Sequence, residues 1–223
     1  MPKVGNSAKV VIVIPCHNEA RHLKNLFKSI KNNCSLQIVL VDDGSTDETF
    51  MLASSLTPFV LRHQINLGKG AALRTGCDFA FHHLQADWVI MMDADEQHSA
   101  KDLQLFTEAI SQNHGLILGV RSFRGMPYGA VIANKLSSFL LRVLYRQYIP
   151  DIPSGYKAIS YSVYQQILWP GSGYEVEFEI ARAVVHKKIP YQVVKIRTIY
   201  PKYVRGMTFL DGLKVFFKMF GIK

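Results

Sequence analysis

Four near-continuous apolar runs mark the first half of the chain: KVVIVIP at 9–15, QIVLVD at 37–42, DWVIMM at 87–92 and GLILGV at 115–120. Runs of this length without alternation read as strands covered on both faces, the pattern of a parallel sheet. A shorter strand is expected at 59–63, and helical spacing fills roughly 19–32, 46–55, 69–85 and 100–112. Strands alternating with helices predict βαβ units, hence an α/β fold with a Rossmann-like, mostly parallel sheet flanked by helices.

The second half is less regular. A helix over about 130–147 gathers Ile132, Leu136, Phe139, Leu140, Val143 and Leu144 on one side and Lys135, Arg142 and Arg146 on the other. The loop DIPSGYKA at 151–158 follows, then a helix around 174–187 and a strand within PYQVVKIRTIY. The segment 207–221 puts Phe209, Leu213, Phe216, Phe217 and Phe220 on one helical face, flanked by Lys214 and Lys218. That is the pattern of an interfacial membrane helix, or of a helix packed on the domain. No repeat or low-complexity linker appears, so residues 1–223 are read as one domain.

Composition narrows the class. No run of 18 apolar residues is present, which argues against a membrane span. The apolar start lacks a cleavage site and reads as a core strand, and the expected compartment is the cytosol. Cys16, Cys34 and Cys77 lie too far apart for a zinc pattern or a disulfide framework. Charge is uneven: residues 1–111 hold 10 basic and 12 acidic side chains, whereas 112–223 hold 16 and 5. Such a basic half suits an anionic partner: nucleic acid, a membrane surface or a phosphorylated substrate.

In open α/β sheets, ligands bind beyond the carboxyl ends of the strands. Those ends are polar here: Pro15-Cys16-His17-Asn18-Glu19, Asp42-Asp43-Gly44-Ser45, Asp93-Ala94-Asp95-Glu96-Gln97, and Arg121. Asp47 and Ser45 also suit helix capping. Three acids within DADEQ repel one another unless a cation sits among them. In an extended segment, alternate residues Asp93, Asp95 and Gln97 would present oxygens to one divalent ion, and hard oxygen ligands suit Mg²⁺ or Mn²⁺. An EF-hand is excluded, because its sixth position would be His98 and its twelfth Gln104. NLGKGAALRTG at 66–76 lacks Walker spacing but sets Lys69 and two glycines at a helix start, a candidate anion cradle.

VIPCHNE, VDDGSTDET, NLGKGAALRTG and MDADEQH, in this order, resemble the nucleotide-sugar half of family-2 glycosyltransferases, which have the GT-A fold. The resemblance covers about residues 9–122. GVRS, and then NKLSSFLLRVL, DIPSGYKAIS and YEVEFEI within an acceptor half of about 123–205, resemble the dolichyl-phosphate and bacterial polyprenyl-phosphate enzymes of that family. The resemblance implies that Pro15, His17, Glu19, Asp42 and Asp43 line the nucleoside site, with Lys69, Asp93 and Ala94 completing the donor side. It also implies that Asp93, Asp95 and Gln97 hold the metal on the donor diphosphate.

The expected reaction is inverting, metal-dependent transfer of a hexose from GDP-mannose or a UDP-hexose to a polyprenyl phosphate, at the cytoplasmic face of a membrane. Transfer of the same donor to a hydroxyl of a glycan, glycolipid or protein is the alternative. Asp95 and Arg121 would act nearest the chemistry, and Arg121, Arg124, Lys135 and Arg205 would hold the acceptor phosphate. Nucleic acid fits poorly, since acidic strand ends would repel phosphates and no recognition motif is present. A phosphate acceptor has no proton to lose near neutral pH and needs no general base. Glu175→Gln and Glu177→Gln are therefore expected to cost less than about tenfold each.

Overall fold

The computed structural model describes residues 8–112, 115–123, 126 and 128–197. The chain runs β1 (Val10–Cys16), α1 (Ala20–Asn33), β2 (Gln37–Asp43), α2 (Thr49–Leu56), β3 (Phe59–His63) and α3 (Lys69–Asp78). It continues through β4 (Trp88–Met91), α4 (Leu103–Gln112), β5 (Leu116–Arg121) and α5 (Tyr128–Tyr145). The last elements are β6 (Lys157–Ser160), α6 (Tyr161–Ile167), α7 (Val176–His186) and β7 (Tyr191–Ile196).

Seven strands form one sheet in the order β3-β2-β1-β4-β6-β5-β7. Among the described strands only β6 runs antiparallel, with Lys157 opposite both Met91 of β4 and Leu118 of β5. The start of β6 therefore lies at the same edge as the carboxyl ends of its neighbours. Successive residues of a strand face opposite sides, so β1 feeds two cores. Val11 and Val13 pack with Leu73 and Cys77 of α3 and with α7, while Ile12 and Ile14 pack with α1 and α4. Helix α1 meets that second layer through Leu23, Leu26, Phe27 and Ile30, a stripe at helical spacing.

Three local features differ from the sequence pattern. The helix expected over 69–85 stops being α-helical at Asp78 and continues as a π turn over Phe79–His83, with Leu84 N–H donating to the Phe79 carbonyl. β6 and α6 occupy a stretch read in part as loop: a four-residue strand carrying a lysine gives no periodic signal, and its partners β4 and β5 are distant in sequence. Helix α5 is inverted relative to its apolar stripe. Asn134, Ser137, Ser138 and Leu141 are buried, whereas Ile132, Leu136, Phe139 and Val143 are exposed, Phe139 by 58%. The segment 207–221 lies outside the described residues, and among those residues no helix is long and apolar enough to cross a membrane.

Candidate active site

The sheet order brings the chemical residues to one edge. From one side to the other lie Asp42 and Asp43 at the end of β2, His17–Glu19 after β1, Asp93 and Asp95 after β4, Lys157 at the start of β6, and Arg121 at the end of β5.

The turn after β2 is built from within the chain. Asp42 is fully buried; its Oδ1 accepts the Ser45 N–H at 3.2 Å. Arg62 Nε sits 3.1 Å from its Oδ2, near enough for an ion pair but out of line for a hydrogen bond. Asp43 accepts from Leu67 N–H at 2.9 Å, Gly68 N–H at 2.7 Å and the His63 ring at 2.7 Å. Asp43 thus holds the loop before α3 from beneath, while Asp42 holds the turn at Ser45. Pro15 and Ala94 are buried as well, while His17 is exposed and Glu19 is half-buried beside His22. Asn18 ties the ends of β1 and β2 together: its side-chain oxygen accepts from Thr46 N–H and its own N–H donates to Ser45 Oγ, both at 2.9 Å. Asp47 accepts from Thr49 N–H and Ala20 N–H, so one carboxylate serves the starts of both α1 and α2.

The anion cradle expected at α3 is filled by the chain itself. Gly70 N–H donates to the Gly173 carbonyl at 3.2 Å and Ala71 N–H to the Ser172 carbonyl at 3.0 Å. Trp169 Nε1 anchors this loop on the Gly70 carbonyl at 2.8 Å. Lys69 points instead into the acidic edge, with Nζ 2.6 Å from Asp93 Oδ1 and 2.9 Å from Glu177 Oε1. Glu177 is buried and also receives Lys157, which donates to the Ser154 carbonyl too. In the sequence Glu177 stands only as a candidate base; its role as the partner of two lysines depends on the first turn of α7 lying at the sheet edge.

The segment after β4 is not extended. It bends over 94–96 with Glu96 at φ +59°, and Gln97 N–H turns back to Asp95 Oδ1 at 3.1 Å. The alternation that was to align Asp93, Asp95 and Gln97 therefore does not operate. Among the described residues no three His, Cys, Asp or Glu side chains form a metal cluster. Glu96 is spent on His22, 3.1 Å away. Burial alone would raise the Asp93 carboxyl, but the Lys69 ammonium outweighs it and holds the group down at about 2. Asp95 goes the other way: burial, reinforced by the charge on Asp93, pushes it up to about 6. Burial also drops His98 to about 4. Its neutral ring accepts the Asp93 N–H through Nδ1 at 3.2 Å and stacks on Tyr156.

This donor set fits Mg²⁺ or Mn²⁺. Such ions are commonly held by one or two carboxylates plus substrate phosphates, so two carboxylates of discordant charge suffice. The space supports it, since a Cβ on Gly155 would stand 2.5 Å from Asp93 Oδ2, and glycine keeps that approach clear.

Arg121 is not a loose arginine. Its Nε and Nη2 form a two-pronged pair with Asp151 at 2.9 and 2.8 Å, and its backbone N–H adds a third bond at 2.9 Å. Asn134 of α5 donates to the same carboxylate at 2.7 Å. Asn134 and Asp151 open the motifs NKLSSFLLRVL and DIPSGYKAIS, but their pairing around Arg121 is set only by the fold. Lys135 is exposed on α5, and Arg124 and Arg205 lie outside the described residues.

Residues 11–168 match the family described as Glycosyl transferase family 2. An N-acetylglucosaminyltransferase of Methanococcus voltae, named for UDP-N-acetylglucosamine and dolichyl phosphate, is 27% identical over 96% of this chain and 96% of its own. A dolichol-phosphate mannosyltransferase of Pyrococcus furiosus is 27% identical over 93% of this chain and 61% of its own. In fold, glucosyl-3-phosphoglycerate synthase of Mycobacterium tuberculosis, crystallised with Mn²⁺ and uridine diphosphate, superposes with a TM-score of 0.74 at 17% identity, covering 97% of this chain and 81% of that one. The seven-stranded, mostly parallel sheet agrees with these matches: the chain belongs to glycosyltransferase family 2 and is a hexosyltransferase with the GT-A fold.

Proposed function

We propose that the enzyme transfers a hexose, with inversion, from GDP-mannose or a UDP-hexose to a polyprenyl phosphate in a metal-dependent reaction at a membrane surface. Asp93 and Asp95 would hold Mg²⁺ or Mn²⁺, which when bound neutralises charge on the departing diphosphate. Gln97 stands as a further candidate ligand. The chain's own contribution is positional. The bends after β1 and β2 present His17 and Glu19 to the nucleoside, over the buried Asp42 and Asp43. Lys69 adds a positive charge beside Asp93. Arg121, oriented by Asp151, faces the acceptor phosphate from the far side of β6, with Lys135, Arg124 and Arg205 as further phosphate contacts.

One observation carries the choice of acceptor. The buried carboxylates of the acceptor half are already paired with cations, Glu177 with Lys69 and Lys157 and Asp151 with Arg121. Both carboxylates are shielded from solvent and spend their contacts on cations of the chain itself, so neither is placed to take a proton from a substrate hydroxyl. A hydroxyl acceptor needs such a base; a phosphate monoester already carries its charge and needs cations. The names of the M. voltae and P. furiosus relatives agree with this reading, as does the outward apolar stripe of α5 with Lys135, Arg142 and Arg146 beside it, a surface suited to lipid headgroups.

The test is a panel of GDP-mannose, UDP-glucose and UDP-N-acetylhexosamines with Mn²⁺, offered a polyprenyl phosphate or soluble glycans. Product on the lipid phosphate alone supports the proposal. Transfer to a hydroxyl acceptor, with an acidic limb in the pH profile, overturns it.

A further inference from the structure

An ammonium with only 14% of its side chain exposed needs strong partners, and Lys69 has two. Asp93, Lys69, Glu177 and Lys157 form a chain of alternating charge in which each carboxylate touches at least one ammonium and Glu177 touches both. Asp93 is also the carboxylate that a divalent cation needs under the reading above, on which this inference rests. Two cations therefore have claims on one oxygen.

We infer that Lys69 is a built-in stand-in for the metal: it neutralises Asp93 Oδ1 in the metal-free enzyme and gives that oxygen up when the metal binds, while Glu177 retains the ammonium. The contact geometry carries this. Lys69 Nζ and Asp93 Oδ2 lie 2.9 and 2.5 Å from the point where Gly155 lacks a Cβ, so ammonium and carboxylate share one cramped space beside bare backbone. Glu177 Oε1 already stands 2.9 Å from Nζ. A lysine released from Asp93 therefore keeps a carboxylate at ion-pair distance. Lys157, fixed on Glu177 Oε2 and the Ser154 carbonyl, holds that carboxylate in place during the exchange.

The exchange couples metal to donor. A metal alone competes with Lys69 for Asp93. A metal arriving with a diphosphate brings an anion for the displaced ammonium, so each strengthens the other's binding, reciprocally.

The test is Mn²⁺ titration of the full chain, read as water-proton relaxation, which rises when the ion is held on the protein. Mn²⁺ is used alone and together with UDP or GDP. Lys69→Met is expected to bind Mn²⁺ alone at least about tenfold more tightly than the wild type, because a competing charge is gone from contact distance. It should also lose most of the enhancement by nucleotide. Glu177→Gln leaves Lys69 with Asp93 alone and should weaken binding of Mn²⁺ severalfold. Thermal melts establish folding, and where Lys69→Met fails to fold, the direction of the Glu177→Gln effect decides. Lys69→Met binding Mn²⁺ equally or more weakly, while the wild type binds it, overturns the inference and leaves the metal reading standing; so does unchanged or tighter binding by Glu177→Gln. Absence of Mn²⁺ binding in every protein, with or without nucleotide, overturns both.

Discussion

Asp151 grips Arg121 with both carboxylate oxygens, at 2.8 and 2.9 Å, from a position wholly shielded from solvent. Arg121 keeps 18% of its side chain exposed. A guanidinium presents its donors in a rigid planar fork, so pairing along one edge fixes the plane of the whole group. Asn134, on the same carboxylate, links this arrangement to α5 and so to the exposed apolar stripe.

Asp151→Asn should therefore behave as a positioning defect of Arg121. We expect turnover on a polyprenyl phosphate to fall at least about tenfold, or 1.4 kcal/mol of barrier, with Arg121→Ala losing more. Asp151→Ala should also cost about 3 kcal/mol of stability in urea denaturation, the scale for removing one partner of a buried ion pair. Unchanged acceptor kinetics in Asp151→Asn would show that the orientation of Arg121 does not depend on Asp151.

Gly68 has φ +98°, and a Cβ there would meet the Ser172 carbonyl oxygen at 2.5 Å. Gly68→Ala should lower the melting temperature by several degrees and loosen the 171–173 loop from α3, through left-handed strain of about 1–2 kcal/mol plus the clash. Gly129 in α5 offers the control, because its Cβ would meet nothing within 4 Å. Gly129→Ala should be neutral or stabilise by up to about 1 kcal/mol. Thermal melts of the two variants side by side test both statements.

Excess chelator should abolish donor turnover, and added Mn²⁺ or Mg²⁺ should restore it. Asp95→Ala should lower kcat by several orders of magnitude, since charge neutralisation by a metal supplies several kcal/mol. Full activity in chelator would sink the metal-dependent reading.

Glu175 and Glu177 should now separate. Glu175, half-buried at the start of α7, remains the mild case, with Glu175→Gln costing less than about tenfold. Glu177→Gln leaves two lysines short of one carboxylate, so a larger loss is expected, together with lower stability. As a positioning effect, that loss should be the same at pH 6 and pH 9. Loss of an acidic limb in Glu177→Gln would instead mark Glu177 as a general base.

Vesicles of anionic lipid should float the protein, and neutral vesicles should float it less. Replacing Phe139 and Val143 by Ser should weaken flotation without loss of stability, because both are more than half exposed. Binding indifferent to lipid charge and to these substitutions would assign the stripe another role.

The five strands from β1 to β5 and the polar character of their ends follow from local sequence, because a strand covered on both faces leaves an unbroken apolar run and a ligand edge needs polar residues at its end. VVIVIPCHNE, QIVLVDD and WVIMMDAD each carry that signal within ten residues. What local sequence cannot encode is which groups meet. That Lys69 finds Asp93 and Glu177, 24 and 108 positions away, depends on β4 pairing with β1 and on the first turn of α7 lying at the same edge. That Asp43 turns inward is decided by the loop at 66–68, whose N–H groups need an acceptor once α3 packs on the sheet. The outward face of α5 shows the same division: the amphipathic period is written in the residues, but the side that meets the domain was chosen by Asp151, whose buried charge needs Asn134 more than the sheet needs Phe139. Apolar periodicity is a property of neighbours in the chain, whereas pairing of buried charges is a property of neighbours in space, and only the folded sheet supplies those.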